Sequence, residues 1–282
     1  MELKAFAKIN LSIDVLKKRE DGYHEVRMIM QSIDLYDLIK FNRRDSDIKI
    51  YCTNPLVPCD RSNIVYRVLE LLREKYKVSY GMEVDIEKRI PIAAGLGGGS
   101  TDAASAIIAA DSIWKLNMSY EDMLAVGRKV GADVPFCIKG GSALAEGIGE
   151  ILKELPSMGS IHIVLAKPLV SVSTKEVYNN LRMDEIVARP DIDRLIKALG
   201  DKNIKHIADN MVNVLETVTI KQYPVIAEIK SIMIQFGALG SLMSGSGPTV
   251  FGLFQGKDEA ERCYNRLRDY IKEVYIVETV GN

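Results

Sequence analysis

Cysteine and histidine are scarce in this chain: Cys52, Cys59, Cys137 and Cys263 are its four cysteines, and His24, His162 and His206 its three histidines. No Cys-x-x-Cys pair occurs, and no histidine stands at ligand spacing from another histidine or a cysteine, so no metal centre built from protein side chains is expected. Cys52 and Cys59 are near enough in sequence to pair in an oxidising compartment, but nothing else points to one, and reduced thiols are the plain reading. Excess charge is missing too. The formal net charge is −1, so no global field draws the chain to nucleic acid or to an anionic membrane, and any anion must be held locally. No apolar run approaches the roughly 18 residues of a membrane span. The opening Met1-Glu2-Leu3-Lys4-Ala5 has neither a signal-peptide core nor an Arg/Ser-rich transit pattern, which gives a cytoplasmic expectation. Repeats and low-complexity segments are also absent. The 282 residues suffice for two packed domains.

What the chain does have is glycine in one place. Pro91-Ile92-Ala93-Ala94-Gly95-Leu96-Gly97-Gly98-Gly99-Ser100-Thr101 places four glycines in five residues and runs straight into an Ala-rich segment that reads as a helix to about Trp114. Glycine brings no Cβ to hold a bulky anion away from the backbone, and it permits the positive φ angles that turn successive N–H groups into one hollow. Ser100 or Thr101 is then expected to cap the helix, whose dipole puts partial positive charge at that end. The pattern predicts a phosphate-binding loop. It is not a Walker A loop, since Gly99 is followed by Ser100 and Thr101 with no lysine, and it lacks the acidic residue that closes the next strand of a dinucleotide fingerprint.

Along the chain, Leu3, Ala5, Ala7, Ile9, Leu11, Ile13 and Val15 alternate with polar residues, which predicts a strand with one buried face. Lys8, Asn10, Ser12 and Asp14 share the other face, and a lysine so placed reads first as a solvated edge charge. A polar loop follows, with Asp21-Gly22 at a turn and Tyr23-His24 after it; a flat ring beside a switchable donor and acceptor suits a heterocyclic base. Strand-like runs cover 25–33, 38–42 and 48–51. Ser62-Asn63 opens a helix carrying Ile64, Val68, Leu71 and Leu72, and Met82, Val84 and Ile86 alternate towards Lys88 and the glycine loop. Ser119 to Asp122 is a variant capping box for the next helix. Asp133, in Gly131-Ala132-Asp133-Val134-Pro135, is a carboxylate among small and apolar neighbours, either a helix cap or a functional group. A hairpin is expected from Gly140 through Ile151, an inter-domain loop at 156–160, a strand over 161–166 and a short helix capped by Ser173-Thr174 and carrying Tyr178. Helical periodicity runs from Asp191 to Phe236, interrupted near Gly200 and Pro224. A second glycine loop, Ser244-Gly245-Ser246-Gly247-Pro248, sits between two strand-like arms and either closes over a substrate or is a tight hairpin. A helix over 257–271 and a strand over 274–279 complete an α+β chain.

Three segments in this order, Ala5-Phe6-Ala7-Lys8-Ile9-Asn10-Leu11, Pro91 to Ala104 and Leu242 to Phe254, resemble the signature segments of the GHMP kinases over nearly the whole chain. Asp21-Gly22-Tyr23-His24 together with Gly131-Ala132-Asp133-Val134-Pro135 resembles the branch that acts on an alcohol carrying a cytidine diphosphate group, in the non-mevalonate route to isoprenoid precursors. The resemblance implies a two-domain fold, with a mixed α/β nucleotide-binding domain over 1–157, an α+β substrate domain over 158–282 and an active site in the cleft between them. It implies an ATP- and Mg2+-dependent small-molecule kinase, monomeric or homodimeric, with Lys8 and Asp133 at the reacting hydroxyl and Asn10 orienting the lysine or the substrate. Tyr23, His24 and Tyr178 would hold the cytidine base. Gly95, Leu96, Gly97, Gly98, Gly99, Ser100 and Thr101, with Pro91, Lys88, Ser62 and Asn63, would hold ATP, a hydroxyl of Ser100 or Thr101 lying near Mg2+. Two rivals share these motifs: another GHMP small-molecule kinase of mevalonate type, and a non-catalytic binding member of the fold.

Overall fold

The structure is a computed structural model that describes residues 1–281. Strands and helices are mixed as expected, and the chain divides into two compact units that are not consecutive stretches. Met1–Ala7, Leu35–Ile90 and Gly97–Lys139 form the first; Lys8–Asp34, Pro91–Leu96 and the chain from Gly140 on form the second. Strands β1 (Glu2–Lys18) and β2 (His24–Arg44) therefore give residues to both.

In the first unit β3 (Ile48–Cys52) lies parallel to β4 (Gly81–Glu87), which runs antiparallel to β2 with Leu38 opposite Glu87 and Arg44 opposite Gly81. Helix α1 (Ile64–Tyr76) starts where the sequence places it, because the Asn63 side chain accepts from the Val65 N–H at 2.8 Å. Its Val65, Val68, Leu69 and Leu72 pack with Ile39, Phe41, Val84 and the alanines of α2 (Gly98–Trp114). Helix α2 is buried round most of its circumference, as an alanine-rich helix without an amphipathic stripe must be. Ser119 caps α3 (Tyr120–Val130) by accepting from the Asp122 N–H, and α4 (Val134–Lys139) follows directly after Asp133.

In the second unit β2 pairs antiparallel with β5 (Ser142–Glu146), Met28 opposite Ala145, and β5 with β6 (Ile151–Glu154). A separate antiparallel sheet has the order β10-β7-β9-β8, formed by β7 (His162–Lys167), β8 (Gly240–Met243), β9 (Val250–Phe254) and β10 (Glu273–Glu278). Helices α9 (Val225–Gln235) and α10 (Lys257–Arg268) cover it through Ile229, Met233, Cys263 and Leu267, all fully buried. Four shorter helices, α5 (Thr174–Asn180), α6 (Ile192–Gly200), α7 (Ile204–Asn210) and α8 (Glu216–Gln222), fill the intervening chain.

Two expectations from periodicity are corrected. The polar face of β1 is not solvated: Lys8, Asn10, Ser12 and Asp14 are as buried as the apolar residues between them, each at most 8% exposed. The runs 25–33 and 38–42 form one strand, because the acids that break the pattern are satisfied in place, Asp34 accepting from the Glu278 N–H and Asp37 from Arg89 and Ile90.

Candidate functional site

In the first unit β4 delivers Lys88 to the foot of helix α2. The Lys88 side chain is 5% exposed, and its ammonium lies 2.5 Å from Asp37 and 2.6 Å from Asp102. Asp37 accepts in addition from the backbone N–H groups of Arg89 and Ile90 at 2.6 and 2.8 Å, whereas Asp102 has one oxygen buried without a partner. Burial works against the Lys88 charge, but the two carboxylates outweigh it and leave the ammonium pKa above its ordinary value. Burial, reinforced by the charge of Asp37, pushes the Asp102 carboxyl up to about 8 against the pull of Lys88. The triad was not legible from the motifs; the available signal was a lone acid in each of two apolar segments, the same signal that drew attention to Asp133.

The glycine loop follows. Gly97, at φ 72°, is the residue before helix α2, so the helix begins at Gly98 and no side chain caps it. Ser100 and Thr101 accordingly sit in its first turn rather than at its cap, which corrects the capping expectation. The reason is local: Gly97 in the left-handed region makes the turn into the helix at the cap position, so both hydroxyls fall after it. Thr101 is buried, Ser100 half-buried and Gly99 exposed. Ser62 is exposed and donates its hydroxyl to Asp60, and the Asn63 amide serves the α1 cap and the Pro58 carbonyl. Asp133 stands half-buried immediately before α4, its carbonyl accepting from the Cys137 N–H.

The second unit holds the other residues. The Lys8 ammonium donates to Asn10 Oδ1 at 2.8 Å, and the Asn10 amide contacts the Met28 sulfur at 3.3 Å. The Lys8 backbone N–H donates to the Leu96 carbonyl at 3.0 Å, fixing the glycine loop's first half, in which Pro91 and Leu96 are buried. Arg19 to Tyr23 closes a tight turn: Gly22 at φ 85° permits it, the Arg19 N–H donates to the Tyr23 carbonyl, and Asp21 accepts from the Tyr23 N–H. This turn leaves Tyr23 61% exposed. It also brings His24 to the Tyr178 ring of α5, with centroids 5.3 Å apart and planes inclined by 36°. Burial holds the His24 imidazole below its ordinary pKa, and the Lys18 ammonium adds to that. A neutral imidazole beside the Tyr178 ring offers stacking faces and one donor and one acceptor.

Among the described residues no group of three or more His, Cys, Asp or Glu is placed to hold a metal ion, and no helix is long and apolar enough to cross a membrane.

Residues 63–141 match the GHMP kinases N terminal domain, and residues 190–273 match the GHMP kinases C terminal domain. A 4-diphosphocytidyl-2-C-methyl-D-erythritol kinase of Acetivibrio thermocellus is 52% identical over 280 residues, covering 99% of each chain. One of Caldicellulosiruptor bescii is 48% identical, covering 99% of this chain and 98% of its own. A crystal structure of 4-(cytidine 5'-diphospho)-2C-methyl-D-erythritol kinase superposes with a TM-score of 0.86 at 33% identity, covering all of both chains.

Proposed function

The chain belongs to the 4-diphosphocytidyl-2-C-methyl-D-erythritol kinases within the GHMP kinases, and from that membership we propose that it transfers the γ-phosphoryl group of ATP to the 2-hydroxyl of 4-diphosphocytidyl-2-C-methyl-D-erythritol. The products are the 2-phosphate and ADP, a step of the non-mevalonate route to isoprenoid precursors. The observation that carries the reading is the 52% identity sustained over 99% of the chain. The His24–Tyr178 ring pair beside exposed Tyr23 supports the cytidine end of the substrate. A mevalonate-type kinase would have no use for such a base platform.

Asp133 takes the proton of the attacking hydroxyl, and Lys8, held by Asn10, offsets charge that builds on the transferring group. Little covalent work is required, since positioning and electrostatics supply most of the acceleration in phosphoryl transfer. The backbone from Gly95 to Thr101 cradles the ATP phosphates, with the helix dipole of α2 favouring their charge. Pro91 and Leu96 shape the loop's first half. Lys88, fixed between its two carboxylates, braces the foot of α2, and Ser62 and Asn63 border the nucleotide at the start of α1. The residues fit Mg2+ of the kind bound mainly by substrate phosphates, with the hydroxyls of Ser100 and Thr101 in the first turn of α2 as the two candidates to lie near it. When bound, the ion neutralises phosphate charge.

The test is ADP release in the presence of Mg-ATP, with 4-diphosphocytidyl-2-C-methyl-D-erythritol, mevalonate, homoserine and galactose offered separately. Turnover with the cytidine compound alone is expected. Turnover with mevalonate instead would remove Tyr23, His24 and Tyr178 from their roles, and silence with all four would leave a binding protein.

A further inference from the structure

The second glycine loop, Ser244 to Pro248, has no part in the mechanism above, and its contacts lead to the phosphate loop. The Ser244 hydroxyl donates to the Gly95 carbonyl at 3.0 Å. The approach is close enough that a Cβ on Gly95 would lie 2.2 Å from the Ser244 carbonyl oxygen, and Gly95 already holds φ at 74°. The loop is in turn held from behind. Asn213, 3% exposed, donates both amide hydrogens into it, to the Met243 and Gly245 carbonyls, each at 2.8 Å. Its Oδ1 accepts from the Leu215 N–H at 3.0 Å, so the whole amide is engaged. Nor can the Asn213 backbone drift, because Ile13 of β1 accepts from the Val214 N–H and donates to the Val212 carbonyl on either side of it. Glu216 and Thr219 add bonds to the Met243 N–H and the Ser246 carbonyl.

We infer that Asn213 is a positioning residue for ATP: it fixes the Ser244–Pro248 loop, which fixes Gly95 at the entrance of the phosphate cradle. The inference rests on the reading of the Gly95 to Thr101 segment as that cradle. Asn213 touches no substrate. Its loss takes the donor from the buried Met243 carbonyl and the half-buried Gly245 carbonyl, and the loop shifts to find water, carrying the Gly95 turn with it. The effect therefore falls on the nucleotide and spares the cytidine substrate.

The experiment measures kcat, KM for ATP and KM for the cytidine alcohol in the full chain and in Asn213→Ala, Asn213→Asp, Ser244→Ala and Gly95→Ala, alongside melting temperatures. Asn213→Ala and Asn213→Asp are expected to raise KM for ATP three- to tenfold and to change KM for the alcohol less than twofold. Asp keeps the acceptor for Leu215 but has no hydrogen for Met243 or Gly245. If Asp restored normal ATP kinetics, the side-chain oxygen that accepts from the Leu215 N–H would suffice and the inference would be wrong. Ser244→Ala, which keeps its backbone intact, is expected to show the same selective rise even if both Asn213 variants fail to fold. A rise in KM for ATP in Gly95→Ala, with Ser244→Ala and every folded Asn213 variant unaffected, overturns the inference while keeping the cradle. An unchanged KM for ATP in Gly95→Ala overturns the cradle and the inference together.

Discussion

Asn10 helps to place the Lys8 ammonium by accepting from it at 2.8 Å, and Lys88 is clamped by two carboxylates. The proposed chemistry divides between residues that touch the reacting hydroxyl and residues that read the base, and the two kinds fail differently. Asp133→Asn keeps the shape and loses the proton acceptor. Its kcat is expected to fall by about 100-fold or more with ATP affinity retained. His24→Ala, in contrast, is expected to raise KM for the cytidine alcohol and leave kcat within a fewfold, by about 1–3 kcal/mol if a base edge loses its partner. Steady-state kinetics on both variants check the division; a kcat effect at His24, or none at Asp133, would reverse the assignments. These candidates could be picked out in the sequence because their surroundings mark them: Asp133 is the one acid among the small and apolar residues from Gly131 to Cys137, and Tyr23-His24 follows a turn dipeptide. The burial of Lys8 could not be, because a period of two gives the face of a strand without saying what covers that face.

The proposed nucleotide site lies where β4, the glycine loop and α2 follow one another, and the Lys88 triad sits at the foot of α2. Two carboxylates on one ammonium are one too many for a buried site, and Asp102, with an oxygen lacking any partner, is the one that gives way. Its raised pKa means that between the ordinary carboxylate value of 3.8 and about 8 the folded chain binds more protons at this position than the unfolded chain. Stability from this group therefore falls as pH rises through that window. Urea midpoints at pH 5 and pH 8.5 are expected to differ less in Asp102→Asn than in the parent chain. An equal pH dependence in both would show that Asp102 does not carry the proton. Lys88→Met removes the counter-charge that lies between the two acids, and is expected to cost about 3–5 kcal/mol, the usual consequence of stranding a buried charge. The helices and strands around this junction could be read from their caps and periods, Asn63 and Ser119 above all. The triad could not, since Asp37 lies 51 residues from Lys88 and a single sequence does not report which segments meet.

For the molecule as a whole, the one tryptophan, Trp114, is 8% exposed and packs in the core of the first unit, donating to the Gly81 carbonyl. Its fluorescence reports on that unit, while far-UV circular dichroism reports on both. Because β1 and β2 each give residues to both units, loss of either unit frees part of two strands that the other requires. The two signals are expected to follow one urea transition with a common midpoint, and separated midpoints would show independent unfolding. The class of fold was readable from the alternation of strand and helix signals; the interleaving of the units was not, because periodicity labels segments without assigning them to a core.

That interleaving also limits how such a gene can be recombined. A single crossover between two relatives exchanges everything on one side of a point, and here no point in the chain separates the first unit from the second. Every one-cut chimera therefore joins core residues from different parents inside at least one unit, and tolerance to it depends on how well those side chains match in volume. Exchange of a whole unit requires several cuts at once, near residues 7, 34, 90, 96 and 139.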